Sequence, residues 1–252
     1  MAVSVAFVLQ QDTELFSFES IRSALASRFP DVTNIVYHSA KDSVLTFHVG
    51  KILVAVANMP APYPWSDLEG PCSTSILWPD SAEELKDHKS HTIVSTIGEL
   101  DPLEASALLT KIVWAVLETS DLALGVYWSN ATLVVPKKLF QEFALEVLPY
   151  GPPMDIWVDF RVGRLDDKWS AGFTMGLAAL GHMEFETSKS PEKPNDLRER
   201  LQNLANYVII NGDCIRDRDT IGADEDELIT VVYADSKYGI KNKVMRLEYR
   251  KS

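Results

Sequence analysis

The stretch DPLEASALLTKIVWAVLETS, residues 101–120, carries the clearest helix signal in the chain. Asp101 is a favourable N-cap residue, and Pro102 suits the first helical position because its missing N–H would have no partner there. Glu104 lies three residues after the cap and completes a capping box. The sequence therefore predicts a helix whose apolar residues recur at helical spacing on one face: Ala105, Leu108, Leu109, Ile112 and Val116.

The segments on both sides of this helix are mainly predicted as strands, because they are short and rich in β-branched and aromatic residues. Before this helix the order is a strand, a helix, three strands, a short charged helix over residues 82–87 and a strand. After it the order is two strands and a helix. That order favours an α+β fold with helices on one face of a mainly antiparallel sheet, and a ferredoxin-like topology for residues 1–148. The predicted strands cover residues 3–9, 34–38, 43–49, 51–58, 91–97, 124–128 and 132–136.

A proline-rich stretch, PYGPPM at residues 149–154, predicts a linker, because three prolines and a glycine in six residues cannot continue a helix or a central strand. Residues 155–252 then predict a second α+β unit. Its helix is expected to be capped by Asn195, with strands before and after it. The fold prediction is thus two α/β-layer units, 1–148 and 155–252, with mainly antiparallel sheets.

The chain shows no secretory signal and no apolar run of about 20 residues, so we expect a cytoplasmic protein without a membrane span. Cys72 and Cys214 lie far apart in sequence and form no zinc-binding pattern, which suits two free thiols in a reducing compartment. A disulfide between them stays open at this point.

The net charge of −12 is concentrated in two places. Residues 67–104 carry nine acids against two lysines, and residues 213–227 carry seven acids against two arginines. A field of this sign repels nucleic acid and membrane phosphates and attracts a basic protein. We therefore expect no nucleic-acid or membrane partner.

The stretch MPAPYPWSDLEGPCSTSILWPDS, residues 59–81, differs from the rest of the chain. It holds five of the 13 prolines and two of the six tryptophans. Three interpretations are open: a lid over an active site, a docking surface, or a loop pinned to the core. Exposed aromatic residues among acids are typical of protein–protein hot spots. The candidate partner-binding residues from this stretch and the acidic windows are Trp65, Asp67, Glu69, Asp80, Glu83, Glu84, Asp217, Asp219, Asp224 and Asp226.

Metal or catalytic chemistry has few candidates. His88 and His91 are three apart, yet zinc needs further ligands, and we favour a structural role beneath residues 59–81 with one histidine at the surface. Hydrogen bonds to carbonyls of that stretch would also explain them. His182, Glu184 and Glu186 form the other candidate metal site, against which exposed alternation in an edge strand is the simpler interpretation.

The other motifs do not indicate a metal site or a catalytic site. DRDTIGADEDEL places Asp217, Asp219 and Gly222 as in a calcium loop, but Ile221 and Leu228 fail as ligands, so an acidic turn is preferred. Neither cysteine has the cationic surroundings of a reactive thiolate. The common hydrolase and nucleotide motifs are absent. We expect no catalytic residue, metal or cofactor.

The tracts PAPYPWSDLEGPC, HKSHTIVS and LGVYW, together with MGLAALGHMEFE and LANYVIINGDCIRDRDTIG, resemble a bacterial family known only as a domain of unknown function. Members of that family are often encoded beside type VI secretion effectors, and some are regarded as immunity proteins. The resemblance implies a cytoplasmic, non-enzymatic protein that neutralises a cognate toxin by direct contact. The acidic windows fit a basic toxin such as a nuclease.

The alternative function is a metal-dependent enzyme with a site around His88 and His91, or around His182, Glu184 and Glu186. A third and weaker alternative is an adaptor of the secretion system.

Overall fold

The computed structural model describes residues 2–212, 214–222 and 228–249, and the chain divides into two compact units, 1–156 and 157–252. Each unit has its own sheet, so the α+β class is confirmed.

Unit 1 alternates strands and helices along the chain. Its strands are β1 (Ala2–Gln10), β2 (Ile35–Lys41), β3 (Val44–Val49), β4 (Ile52–Met59), β5 (Ser90–Gly98), β6 (Ala123–Trp128) and β7 (Leu133–Pro136). Its helices are α1 (Phe18–Arg28), α2 (Trp65–Thr74), α3 (Ser81–Leu85), α4 (Pro102–Glu118) and α5 (Lys137–Glu142), and α6 (Met154–Trp157) lies where the units join in sequence.

The seven strands of unit 1 form one sheet in the order β2-β3-β4-β5-β1-β6-β7, and every described neighbour pair is antiparallel. The elements β1, α1, β4, β5, α4 and β6 follow the β-α-β-β-α-β order, and their strands lie side by side as β4-β5-β1-β6. That is the ferredoxin-like arrangement. The hairpin β2-β3 is an insertion between α1 and β4, and β7 extends the opposite edge.

Helix α4 begins at Pro102 with Asp101 as its N-cap, as predicted, because the Asp101 carboxylate accepts a hydrogen bond from the Leu103 N–H at 2.9 Å. The predicted capping box is wrong, since in the part of the chain that the structure describes the Glu104 carboxylate makes no hydrogen bond back to Asp101. It packs on α1, α5, β1 and β5. The buried surface is wider than one predicted face: Val113, Trp114 and Leu117 are buried as well, while Ala105 and Leu108 are only half-buried. A helix packed against both helices and a sheet buries more than one stripe.

Unit 2 places one long helix against its sheet. The strands are β8 (Asp159–Arg164), β9 (Ser170–Met175), β10 (Phe185–Ser190), β11 (Thr220–Ile221), β12 (Ile229–Asp235) and β13 (Lys243–Tyr249), in the order β11-β12-β13-β10-β9-β8. Only the β10–β13 pair is parallel among the described pairs. Helix α7 (Pro194–Asn211) packs on β8, β9 and β10.

Helix α7 begins two residues before the position expected from Asn195. Lys193 is its N-cap and Pro194 occupies the first turn, because proline is tolerated where the backbone N–H needs no partner. Within the residues that the structure describes, no helix is long and apolar enough to cross a membrane.

Candidate protein-interaction site

Residues 59–89, here named the α2–α3 segment, form two helices. Helix α3 confirms the short helix predicted over residues 82–87, whereas α2 replaces the long loop that the prolines suggest. Pro60, Pro62 and Pro64 precede α2 and Pro79 follows it, so these prolines bracket the helix. Pro71 alone lies inside α2, where its missing N–H leaves the Asp67 carbonyl without the usual helical partner. The interpretation as a long loop is therefore wrong for residues 65–74.

An apolar cluster fixes the α2–α3 segment to the sheet. The ring of Trp78 lies directly on Gly125 of β6, where a side-chain Cβ would overlap both the indole ring and the Val135 carbonyl oxygen. Tyr63 and Trp65 pack against the edge of the cluster and are half-buried. The buried members are Leu9, Leu68, Cys72, Trp78, Leu85, Tyr127 and Val134.

His88 joins the two ends of the segment. Its Nε2 atom accepts a hydrogen bond from the Tyr63 backbone N–H at 2.8 Å, and its Nδ1 atom lies 2.6 Å from the Leu85 carbonyl oxygen. An acceptor at Nε2 requires the neutral tautomer with the proton on Nδ1, which then donates to Leu85. Both ring nitrogens are thus occupied by backbone groups.

His91, on β5, also forms a hydrogen bond with the backbone of the α2–α3 segment. Its Nδ1 atom donates to the Ala61 carbonyl oxygen at 2.9 Å, and its ring packs edge-on against Tyr63. Burial lowers the pKa of His91, with a smaller effect in the same direction from His88, and the hydrogen bond to Ala61 opposes it. The expectation of one surface histidine is wrong, since both are buried, whereas hydrogen bonding to carbonyls of this stretch is confirmed.

The carboxylates of the α2–α3 segment point outward while its tryptophans pack inward. Trp78 is buried, and Trp65 presents only part of its ring to solvent. Among the described residues, no ion pair involves the exposed acids of the segment: Asp67, Glu69, Asp80, Glu83 and Glu84. These unpaired charges are available to a partner.

Asp67 lies near the aromatic residues of the segment. Burial raises the pKa of Tyr127 to about 12, with further contributions from Tyr63 and the Asp67 carboxylate. The pKa of Tyr63 is also raised, first by burial and then by Asp67. Because the Asp67 carboxylate raises the pKa of both Tyr63 and Tyr127, it lies where the acidic surface meets the aromatic cluster beneath it.

The acids of unit 2 that the sequence singled out are partly used by the backbone. The Asp217 carboxylate accepts from the Tyr233 N–H at 2.8 Å, and the Asp219 carboxylate accepts from the Arg216 N–H at 2.7 Å. Both residues therefore hold a turn beside β12, which agrees with the predicted acidic turn. Asp224 and Asp226 lie outside the described residues.

Glu184 and Glu186 are fully engaged inside unit 2. Glu184 accepts from the Thr174 hydroxyl at 2.7 Å and from the backbone N–H groups of Gly176 and Ala178 at 2.8 and 2.9 Å. Glu186 pairs with Arg246 at 2.8 Å and accepts from the Ser236 hydroxyl.

Exposed alternation in an edge strand is therefore wrong for these two acids, because β10 lies between β9 and β13 and both carboxylates are buried. His182 is half-buried and has its own interaction. Across residues 2–212, 214–222 and 228–249 no three potential ligands come together as a metal site would require.

The two cysteines are free thiols. Cys72 is buried under α2, and burial raises the pKa of its thiol. Cys214 is exposed.

Comparison with known proteins identifies one family. Residues 173–248 match the family described as a domain of unknown function (DUF4261). The match lies within unit 2, from β9 to β13, and covers less than half of the chain. No curated protein and no solved structure matches the chain. The resemblance to a family of unknown function is thus confirmed for this part of unit 2.

Proposed function

We propose that this protein is an immunity-type binding protein that neutralises a cognate toxin of a type VI secretion system by direct contact. The toxin is a basic protein, and a nuclease is the class that best fits. The protein acts by binding in the cytoplasm and performs no catalysis of its own. The observation that carries the proposal is the set of unpaired, outward-facing carboxylates on the α2–α3 segment.

The rigidity of this surface supports a binding role. His88 and His91 hold the start of the segment to its end and to β5, and the buried Trp78 fixes its middle to β6. Charged groups on a preorganised support lose little conformational entropy when a partner binds. A basic toxin surface would be attracted at long range and held in one orientation.

The contacts of the candidate metal ligands also support the proposal. The ring nitrogens of His88 bind backbone groups, and Glu184 and Glu186 bind hydroxyl, backbone and guanidinium groups. These contacts explain the histidines and buried acids as structural, so no specific observation favours the alternative of a metal-dependent enzyme.

Co-expression with an inactivated toxin from the neighbouring gene tests the proposal. We expect one peak containing both proteins in size-exclusion chromatography and loss of toxicity when the active toxin is used. Two separate peaks with undiminished toxicity would overturn the proposal.

Charge reversal tests the surface. Glu83→Lys combined with Glu84→Lys should weaken binding about tenfold or more at low salt and much less at high salt, because salt screens exposed charges. The matched control is Glu142→Lys combined with Glu146→Lys, which makes the same charge change at exposed positions of α5 and the turn after it. Equal affinity for both double variants would remove the acidic segment from the interface. Asp224→Lys with Asp226→Lys tests the second acidic window in the same way.

A further inference from the structure

The sheet of unit 1 has a second face that its helices leave largely open. Helices α1, α4 and α5 cover the face formed by residues such as Val8, Val54 and Val94, which are fully buried. On the other face the α2–α3 segment covers the part formed by Phe7, Leu9, His91, Gly125, Tyr127 and Val134. The remaining surface spans five strands, from β1 to β2.

Strand register arranges this surface into three rows of side chains. Each row runs across β1, β5, β4, β3 and β2, because residues that face each other in an antiparallel pair lie on the same face. The first row is Val3, Ile97, Leu53, His48 and Val36. The second row is Val5, Ser95, Ala55, Thr46 and Ser39. The third row is Phe7, Ile93, Ala57, Val44 and Lys41.

These rows, without Phe7 and Lys41, are here named the open face. Its apolar residues are partly solvent-exposed, and the exposed fractions reach 56% for Val3, 60% for Val36 and 39% for Val44. The open face contains no acid, lysine or arginine. Nine of its 13 side chains are apolar, and an uncharged, mainly apolar surface is typical of the centre of a protein interface.

The shape of the open face suits a protruding partner element. The middle row carries small side chains, including Ser95 and Ala55, between outer rows that carry Ile97, Leu53 and Ile93. Successive rows are about 7 Å apart, so the outer rows are about 14 Å apart. A helix or ridge about 10 Å wide can lie over the small middle row and contact the larger side chains of the outer rows.

The open face meets the acidic segment at Phe7. The ring of Tyr63 packs on Phe7 with centroids 4.6 Å apart, and it also contacts His91. The neighbouring positions on the same strands, Val5 and Ile93, already belong to the open face. Asp67, whose carboxylate acts on Tyr63, therefore lies where the acidic segment meets an uncharged surface.

We propose that the open face is the apolar centre of the interface and the α2–α3 segment its acidic rim. The occupant is a protein that presents an apolar helix or ridge flanked by lysine and arginine. Charge decides against a second copy of this chain, because another copy carries the same excess of acids over lysines in its α2–α3 segment and the same net charge of −12. This inference rests on the proposed function, since the occupant is the basic toxin.

The first experiment measures the affinity of the inactivated neighbouring toxin for open-face variants. Val3→Lys combined with Val36→Lys should weaken binding at least tenfold, because lysine removes apolar contact and repels a basic partner. The control is Leu15→Lys combined with Ile210→Lys, two apolar residues that are 68% and 79% exposed outside the open face. Leu53→Thr with Ile97→Thr tests the centre of the face without changing charge. Urea unfolding verifies that each variant is folded.

The outcomes separate this inference from the proposed function. Unchanged affinity of both open-face variants, with wild-type binding intact, would overturn the inference and leave the proposed function standing. Failure of the toxin to bind the wild-type protein would overturn the proposed function. A wild-type dimer in sedimentation equilibrium that Val3→Lys with Val36→Lys dissociates would identify a second copy as the occupant and overturn the inferred partner.

A second probe does not depend on the toxin. It is an amphipathic helical peptide of leucine and lysine, and the same peptide with glutamate in place of lysine is its control. We expect the lysine peptide to shift methyl NMR signals of Val5, Leu53, Ile93 and Ile97, and the glutamate peptide to shift them far less. Signals that move only elsewhere, or do not move, would contradict the inference.

Discussion

The His91 imidazole is a buried group whose protonation opposes folding. Burial lowers its pKa in the folded protein below the ordinary value of about 6.5, whereas the unfolded chain keeps the ordinary value. Between the two values the unfolded state binds more protons, so the free energy of unfolding falls as the pH falls. The contribution is complete above about pH 6.5 and is lost as the pH decreases through the folded pKa.

We therefore expect the wild-type protein to lose stability between pH 7 and pH 5, and His91→Gln to lose less. Glutamine does not titrate, and its side-chain amide can still donate to the Ala61 carbonyl. Urea unfolding at several pH values measures the difference. His38→Gln is the control, because it makes the same substitution at an exposed position. An identical pH slope in His91→Gln and wild type would contradict the assignment.

The histidines also show how far sequence reasoning reaches at the scale of single residues. The sequence suggested hydrogen bonds from the histidines to backbone carbonyls of residues 59–81, and this is confirmed for His91, which bonds Ala61, but not for His88, which bonds the Leu85 carbonyl. The sequence could not show that both histidines are buried. Strand β5 begins at Ser90, so His88 lies outside it and the alternation of side chains along a strand does not say which way His88 points. The side-chain direction of such a residue depends on contacts with distant parts of the chain.

At the scale of elements, Glu184 fixes the connection between β9 and β10. Its carboxylate binds Thr174 at the end of β9 and the N–H groups of Gly176 and Ala178, where a short 3-10 helix, Leu177–Leu180, begins. Hydrogen bonds to a buried carboxylate stabilise more than neutral ones, and removal of the carboxylate leaves buried donors without a partner.

We expect Glu184→Ala to lower the free energy of unfolding by about 3 kcal/mol. Glu184→Gln should cost less, because the amide oxygen can still accept from the two N–H groups. Glu199→Ala is the control, since Glu199 is an exposed acid on α7. Urea unfolding with and without EDTA is the measurement. A loss of stability in EDTA equal to that of Glu184→Ala would instead indicate a metal at this acid.

The elements differ in how well local sequence predicts them. Helix α4 was predicted because Asp101 and Pro102 mark its start within a few residues of its apolar pattern. Helix α2 was missed because its prolines, read singly, argue against helix, and only the apolar cluster under Leu68 and Cys72 explains why the helix forms. The burial of Glu186 could not be predicted, because its partner Arg246 is 60 residues away.

At the scale of the whole molecule, the order of the strands in the unit 1 sheet could be predicted from the sequence, whereas the surface that the sheet presents could not. The succession of strands and helices in residues 1–148 pointed to the ferredoxin-like arrangement, since few topologies fit that order. The open face appears only when β1, β5, β4, β3 and β2 are placed in register. Val3 and Val36 are more than 30 residues apart and become parts of one row through three intervening strands.

Charge and apolar contact should have separate effects on the rates of partner binding. A net charge of −12 would attract the proposed basic toxin before contact and so raise the association rate, whereas apolar contacts would form after docking and slow dissociation. We expect Glu83→Lys with Glu84→Lys to lower the association rate constant about tenfold at low salt, with little effect at about 0.5 M salt. We expect Leu53→Thr with Ile97→Thr to raise the dissociation rate constant at both salt concentrations.

Biolayer interferometry with the immobilised inactive toxin measures both rate constants. Glu142→Lys with Glu146→Lys controls for net charge alone, because it changes the charge equally without altering the α2–α3 segment. If the two acidic variants slow association equally, the field of the whole molecule guides the toxin and the α2–α3 segment has no special part in capture. If the open-face variant changes association and not dissociation, its residues are not in contact in the complex, and the apolar centre of the interface lies elsewhere.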